Sequence, residues 1–157
     1  MNKTFLKVTT LVLASASMAS AASYVGGSLG SGASLHYQTD ITDTSAVRYS
    51  LDLAAVNFNF GQLSAGGSVD YLNDISGQDF AGLQPYYGFG LGAGVGIGSV
   101  TGVTLYPHVL AGLRYNVAGP LSVFGELNAG VAIGVSNAGT GVGFGSNARI
   151  GINYQLP

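Results

Sequence analysis

Side-chain character switches at every second residue through most of this chain, and that rhythm belongs to strands. In 121–133 the odd positions read Leu121, Val123, Gly125, Leu127, Ala129, Val131 and Ile133, against Ser122, Glu126 and Asn128. The same alternation runs through 103–117 and 140–156, where Val142, Phe144, Ile150, Ile152 and Tyr154 oppose Asn147, Arg149, Gly151 and Asn153. Three earlier stretches, 47–55, 63–71 and 84–97, behave alike, and 23–38 does so more weakly, with Val25, Leu29, Leu35 and Tyr37 on one side. Breaks fall where Gly, Pro, Asn, Asp and Ser cluster, at 39–46, 57–61, 73–82, 98–102, 118–120 and 136–139.

The charges decide which face meets water. Six lie inside the alternating stretches, Arg48, Asp52, Asp70, Arg114, Glu126 and Arg149, and all six share the polar parity. The other four beyond residue 21, Asp40, Asp43, Asp74 and Asp79, fall in breaks. A soluble sheet covers its wet face with many charges, often lysine at its edges. Here only 8% of residues are charged while 47% are hydrophobic. Glycine, serine, asparagine and a few balanced ions make up the polar parity, which reads as an interior. The apolar parity then faces lipid, where a basic residue at mid-depth costs about 2–4 kcal/mol. A sheet in hydrocarbon must also close, because an open edge leaves backbone groups unpaired. The expected fold is all-β: a closed antiparallel up-and-down transmembrane β-barrel of eight strands. Two short strands, split at Ser31-Gly32, complete the six clear ones.

The start reads as an export signal. Lys3 and Lys7 precede an apolar core at 8–14, and Ala19-Ser20-Ala21 supplies small residues for cleavage. Residues 1–21 are thus expected to be removed from the 22–157 barrel domain by a bacterial cell using its general secretory route. The remainder has no lysine, and three arginines against seven acids give a formal net charge of −4. No basic patch for nucleic acid survives. The absence of cysteine excludes a disulfide scaffold, a zinc-thiolate site and a lipid-modified cysteine.

The final strand carries a motif. Arg149, Gly151, Tyr154 and Leu156 fill the fixed places of a polar, glycine, apolar, apolar pattern at the end of the chain. In this the chain resembles small bacterial outer-membrane barrels of the OmpA and OmpX type, although such chains usually stop on an aromatic residue and this one ends Leu156-Pro157. The stretch from Gly112-Leu113-Arg114-Tyr115 to Phe124-Gly125-Glu126 is similar to a hairpin common in those barrels. The resemblance implies insertion by the barrel-assembly machinery with periplasmic chaperones, outer-membrane lipid as surroundings, and a monomer with a structural or surface-interaction role in the cell envelope.

Register follows from parity. Pairing Val135 with Thr140 sets Glu126 opposite Arg149. Pairing Val117 with Leu121 sets it opposite Gly112, diagonal to Arg114. Pairing Val56 with Gln62 sets Arg48 opposite Asp70, and pairing Gly98 with Gly102 sets Gly94 opposite Tyr106 and Gly92 opposite His108. The lumen ions Arg48, Asp52, Asp70, Arg114, Glu126 and Arg149 are therefore expected to pair or form a network, as burial demands. A narrow eight-stranded bore is filled by side chains, so no open pore is expected. Tyr37, Tyr49, Tyr71, Tyr87, Tyr115 and Tyr154 share the apolar parity, as interfacial anchors require.

Two alternatives belong to other classes. One is a secreted soluble barrel of lipocalin type carrying a small apolar ligand. The other is a lipid-modifying outer-membrane enzyme using His36 or His108 with Ser34 or Ser122 and Asp70 or Glu126. That catalysis needs nucleophile and base within hydrogen-bond reach, and neither histidine has a serine two residues away on its C-terminal side. The expectation is no enzyme, no catalytic residue and no cofactor. No metal site is expected either, since two histidines far apart lack ligand spacing. The glycines of 88–94 alternate within a strand-like run, whereas a nucleotide loop opens a helix.

Overall fold

A computed structural model describes residues 21–55, 63–77, 80–97, 101–137 and 139–157. Residues 1–20 of the proposed signal segment, and the Val56–Gln62 pairing, lie outside the described residues. Eight strands follow one another: β1 (Ser23–Leu29), β2 (Ala33–Asp40), β3 (Ser45–Ala55), β4 (Leu63–Asp74), β5 (Leu83–Ile97), β6 (Gly102–Ala118), β7 (Leu121–Ser136) and β8 (Gly139–Gln155). Each pairs antiparallel with its neighbours, and β1 closes on β8. Both chain ends share one rim, the terminal rim, with the β2–β3, β4–β5 and β6–β7 connections. The other four connections form the far rim.

The ladder fixes how the strands lean. From Gln155 it passes through Tyr24, Gln38, Arg48, Asp70, Gly90, His108 and Gly130 to Gly145. One circuit therefore returns to β8 ten residues from its start. For eight strands, such a stagger goes with a tilt of about 40°. At the β6–β7 turn Gly119 adopts φ +53°, a conformation that glycine takes without steric cost and that suits a two-residue hairpin.

Alternation translates directly into sidedness. Leu127, Ile150 and Val109 are exposed on the outer wall, whereas Glu126 on the opposite parity is 3% exposed. Charges within the barrel wall point inward, so an apolar-core carrier with its greasy parity inside does not fit this geometry. The six tyrosines all lie near the terminal rim, within four residues of the strand end there. Tyr37 pairs with Tyr49, and Tyr71 packs on Phe89 with ring centroids 5.4 Å apart.

Two boundaries and one register differ from expectation. Asp40 and Asp74 close β2 and β4 instead of lying in loops. At the end of β6 a bulge pairs Ala118 with Leu121, although Asn116↔Ser122 and Gly112↔Glu126 keep the expected register. Between β5 and β6 the observed pairs are Gly92↔Tyr106 and Gly90↔His108, two residues away from the parity-based pairing. A slip of two keeps every side chain on its face, so patterning is blind to it. Packing decides: Gly90 lacks the Cβ that would collide with the Asp70 carboxylate and crowd His108 Nε2.

Strand length is uneven. β1 and β2 have 7 and 8 residues, whereas β6 and β8 have 17 each. Because β1 and β2 share the terminal rim with the rest, the deficit falls entirely at the far rim. The last β1–β8 pair is Leu29↔Ile150, so Gly139–Arg149 of β8 continue for about 35 Å of strand with no strand partner on the β1 side among the described residues.

Candidate functional site in the lumen

The inner wall divides into a filled half and an open half. Near the terminal rim Ala46, Leu72, Tyr86 and Leu110 form a buried cluster across the bore. Glycine makes room for them. A Cβ on Gly112 would strike the Tyr86 ring, one on Gly151 the Phe124 ring, and one on Gly88 the backbone of Tyr71.

Above this plug lies an ion network. Cross-strand pairing brings Arg48 beside Asp70 and Glu126 beside Arg149, and the bore brings the two pairs together. Arg48 Nη2 donates to Glu126 Oε2 at 2.7 Å and to Asp70 Oδ2 at 3.1 Å. Arg149 Nε donates to Glu126 Oε1 at 2.7 Å, and its Nη2 to Asp70 Oδ2 at 3.3 Å. The Tyr86 hydroxyl donates to Glu126 Oε2 at 3.0 Å. Arg48 also lies over the Phe124 ring, 5.6 Å from its centroid. Asp70 is 0% exposed and Arg48 2%, and ions buried so deeply persist only when paired and hydrogen-bonded.

His108 completes the network from the far side. Its Nε2 lies 3.0 Å from Asp70 Oδ1, and its Nδ1 3.0 Å from the Tyr106 carbonyl oxygen. Both ring nitrogens thus lie within hydrogen-bond reach of an acceptor, one a carboxylate and the other a carbonyl. Two cations, Arg48 and Arg149, meet the two anions Asp70 and Glu126, with His108 against Asp70. Asp52 stands apart on the wall nearby, where its carboxylate accepts from Ser34 Oγ.

Arg114 is the residue that departs from the expected grouping. It donates to Asp74 and lies over Tyr86 at 6.0 Å from the ring centroid. Because β4 extends to Asp74, an acid stands across the rim from Arg114, and Arg48 and Arg149 already occupy Glu126. Tyr86, Tyr106 and Asp74 are members of the site that reading the charges alone omits. Parity carried the signal for the tyrosines, since both fall on the inward face of their strands.

The enzymatic grouping does not assemble. His36 Nε2 lies 2.6 Å from Asn153 Oδ1, and His108 faces Asp70. Neither Ser34 nor Ser122 hydrogen-bonds a histidine among the described residues, and Ser34 gives its proton to Asp52. The network spans the bore, joining β3 and β4 to β7 and β8. Toward the far rim the lumen opens into a chamber of about 440 Å³ whose wall includes Asp52, Ser68, Tyr106, His108, Asn128 and Arg149.

No protein-family model matches the chain, and no curated protein matches its sequence. Solved structures do match its shape. The N-terminal β-barrel domain of OprF from Pseudomonas aeruginosa superposes with a TM-score of 0.60 at 16% identity, covering 87% of this chain and 96% of that domain. A major outer membrane protein from Thermus thermophilus gives a TM-score of 0.52 at 14% identity, covering 87% of this chain and 100% of the other. Neisserial surface protein A gives 0.51 at 17% identity, covering 87% and 94%. The chain is similar in fold to these barrels: a closed, antiparallel, all-β wall of eight strands.

Proposed function

We propose that this chain is an integral barrel of the bacterial outer membrane that acts without catalysis, in envelope structure or in contacts at the cell surface. One observation carries the reading. The outer wall presents a continuous apolar surface from β1 to β8, and the charges of the wall turn into the lumen. In water such a wall would expose a very large apolar area, whereas lipid accommodates it without penalty. Residues 1–21 direct export and are removed. Arg149, Gly151, Tyr154 and Leu156 then serve as the recognition pattern for the assembly machinery. In the folded barrel these residues hold β8 against its neighbours: Arg149 in the network, Gly151 beneath Phe124, and the Leu156 amide on the Ser23 carbonyl at 2.7 Å. The lumen ions Arg48, Asp70, Glu126 and Arg149 act structurally, clamping four strands from inside, and Arg114 performs the same task at the rim with Asp74.

Fractionation of the producing cell tests this reading. The mature chain should begin at Ala22, sediment with the outer membrane, require detergent for release and migrate differently on gels before and after heating. Full solubility without detergent would overturn it. A surviving segment 1–21 on the membrane-inserted chain would overturn the export step.

A further inference from the structure

The chamber is built to hold something. Its wall includes two glycines, Gly92 and Gly94, whose missing side chains serve no packing purpose, whereas a Cβ on Gly66 would lie 2.7 Å from the Ala93 carbonyl oxygen and one on Gly145 3.1 Å from the Tyr106 ring. A Cβ on Gly92 or Gly94 would rest at ordinary contact distance, with nearest atoms at 3.6 and 3.5 Å. In the plug a Cβ on Gly90, Gly112 or Gly151 would collide with a packed neighbour. The space above the network is therefore unfilled although side chains would fit there.

The chamber also has a side opening. The β1–β2 turn, with Ser31 on the chamber wall, ends where its amide meets Asn147 Oδ1 at 3.4 Å. Above that point the β8 edge has no strand neighbour on the β1 side among the described residues. The flanking outer surface is apolar, with Phe144 79% and Val142 71% exposed. A second copy cannot cover this edge by ordinary antiparallel pairing. Two antiparallel β8 strands would point the two barrels in opposite directions across one membrane.

The chemistry of the lining selects the occupant. Arg48 and Arg149 are each already paired with Asp70 and Glu126, and the Asp52 carboxylate already accepts from Ser34 Oγ, so an anionic ligand finds no unpaired cation and would be buried at high cost. A wholly apolar one would cut hydroxyls and amides off from water. The Tyr106 hydroxyl donates to Asn128 Oδ1 and the Gly145 carbonyl, and Asn147 Oδ1 accepts from the Ser31 amide; the Ser68 and Thr104 hydroxyls and the Asn128 and Asn147 side-chain N–H groups remain as donors and acceptors of neutral type. We propose that the chamber takes the uncharged, polyhydroxylated head of an amphiphile, which enters sideways from the membrane through the gap above the β1–β2 hairpin while its apolar chain stays against the outer wall. The entry path rests on the membrane placement proposed above; the head site does not.

The test uses the full mature barrel in phosphatidylcholine nanodiscs, followed by amide NMR. Dodecyl maltoside, added below its micelle concentration, should give saturable shifts at Gly92, Gly94 and Gly145. Maltose alone should bind at least about tenfold more weakly, and dodecylphosphocholine should leave these signals in place. Gly94→Phe should abolish the shifts while keeping the heat-dependent gel mobility; if that variant does not fold, Gly92→Leu serves the same purpose. Three results would sink the site: no saturable shift, equal shifts with dodecylphosphocholine, or shifts that persist in the filled variants. Maltose binding as tightly as dodecyl maltoside would overturn the sideways entry alone. Solubility without detergent would count against the membrane reading and leave the maltose result to judge the head site.

Discussion

The two halves of the bore are made from the same residue types and come out opposite. Toward the terminal rim, glycines sit under Tyr86, Phe124 and the Asp70–His108 pair, and every gap is taken. Toward the far rim, glycines such as Gly92 and Gly94 sit under nothing that needs them. Composition cannot tell the two apart, because a glycine in a strand leaves a gap whether or not a neighbour fills it. What differs is the opposing wall. Below, β1 to β8 all contribute; above, β1 and β2 have stopped, so two strands' worth of inward side chains is missing. Stability is concentrated in the first half and vacancy in the second.

The sharpest way to break this contrast is Glu126→Leu. It leaves Arg48 and Arg149 buried without one of their two acids and the Tyr86 hydroxyl without its acceptor. Loss of about 3–5 kcal/mol is expected, read as a lower urea midpoint for unfolding in lipid. No change would mean that the network does not clamp the plug. Next comes the outer wall: Leu127→Arg, one residue away and facing the other side, should lose about 2–4 kcal/mol in bilayers. In that case the unfolding should be compared in bilayers and in detergent, since a cost confined to the lipid identifies the lipid-facing side.

A paired substitution on a single strand sharpens the comparison further. Gly90→Ala adds a methyl where Asp70 and His108 already meet, and should destabilise by about 1–3 kcal/mol. Gly94→Ala, four residues on and on the same face, should change stability by less than about 0.5 kcal/mol. Equal effects at both positions would erase the distinction between filled and open halves. A small effect is also expected at the rim. Arg114→Ala removes a partly exposed pair with Asp74, whose side chains are 19% and 34% exposed, and should cost about 1 kcal/mol or less in thermal unfolding.

Much of this architecture was legible beforehand. The parity of Leu127 and Glu126 predicted their opposite faces, and the weak alternation of 23–38 with its Ser31-Gly32 break predicted the two short strands. The β7–β8 and β3–β4 registers also followed, with Glu126 opposite Arg149 and Arg48 opposite Asp70. The β5–β6 register did not follow. Its connection allows two alignments that place the same residues inside, and only the fit of His108 against Gly90 and Asp70 separates them. Asp74 was hidden for a related reason. An aspartate among turn residues reads as loop, yet this one ends β4 and reaches Arg114 on β6, a strand with which β4 does not pair.

By itself, then, the order of residues determined that strands form, which side of each meets lipid, and which ions must share an interior. Those are local properties, set by a period of two and by the cost of a charge in hydrocarbon. The tertiary structure alone decided which ion meets which, how far the wall staggers as it closes, and where the wall falls short. Each of these depends on contacts across the bore between residues far apart in the chain, and a shift by two residues changes every such contact while leaving the pattern along each strand intact.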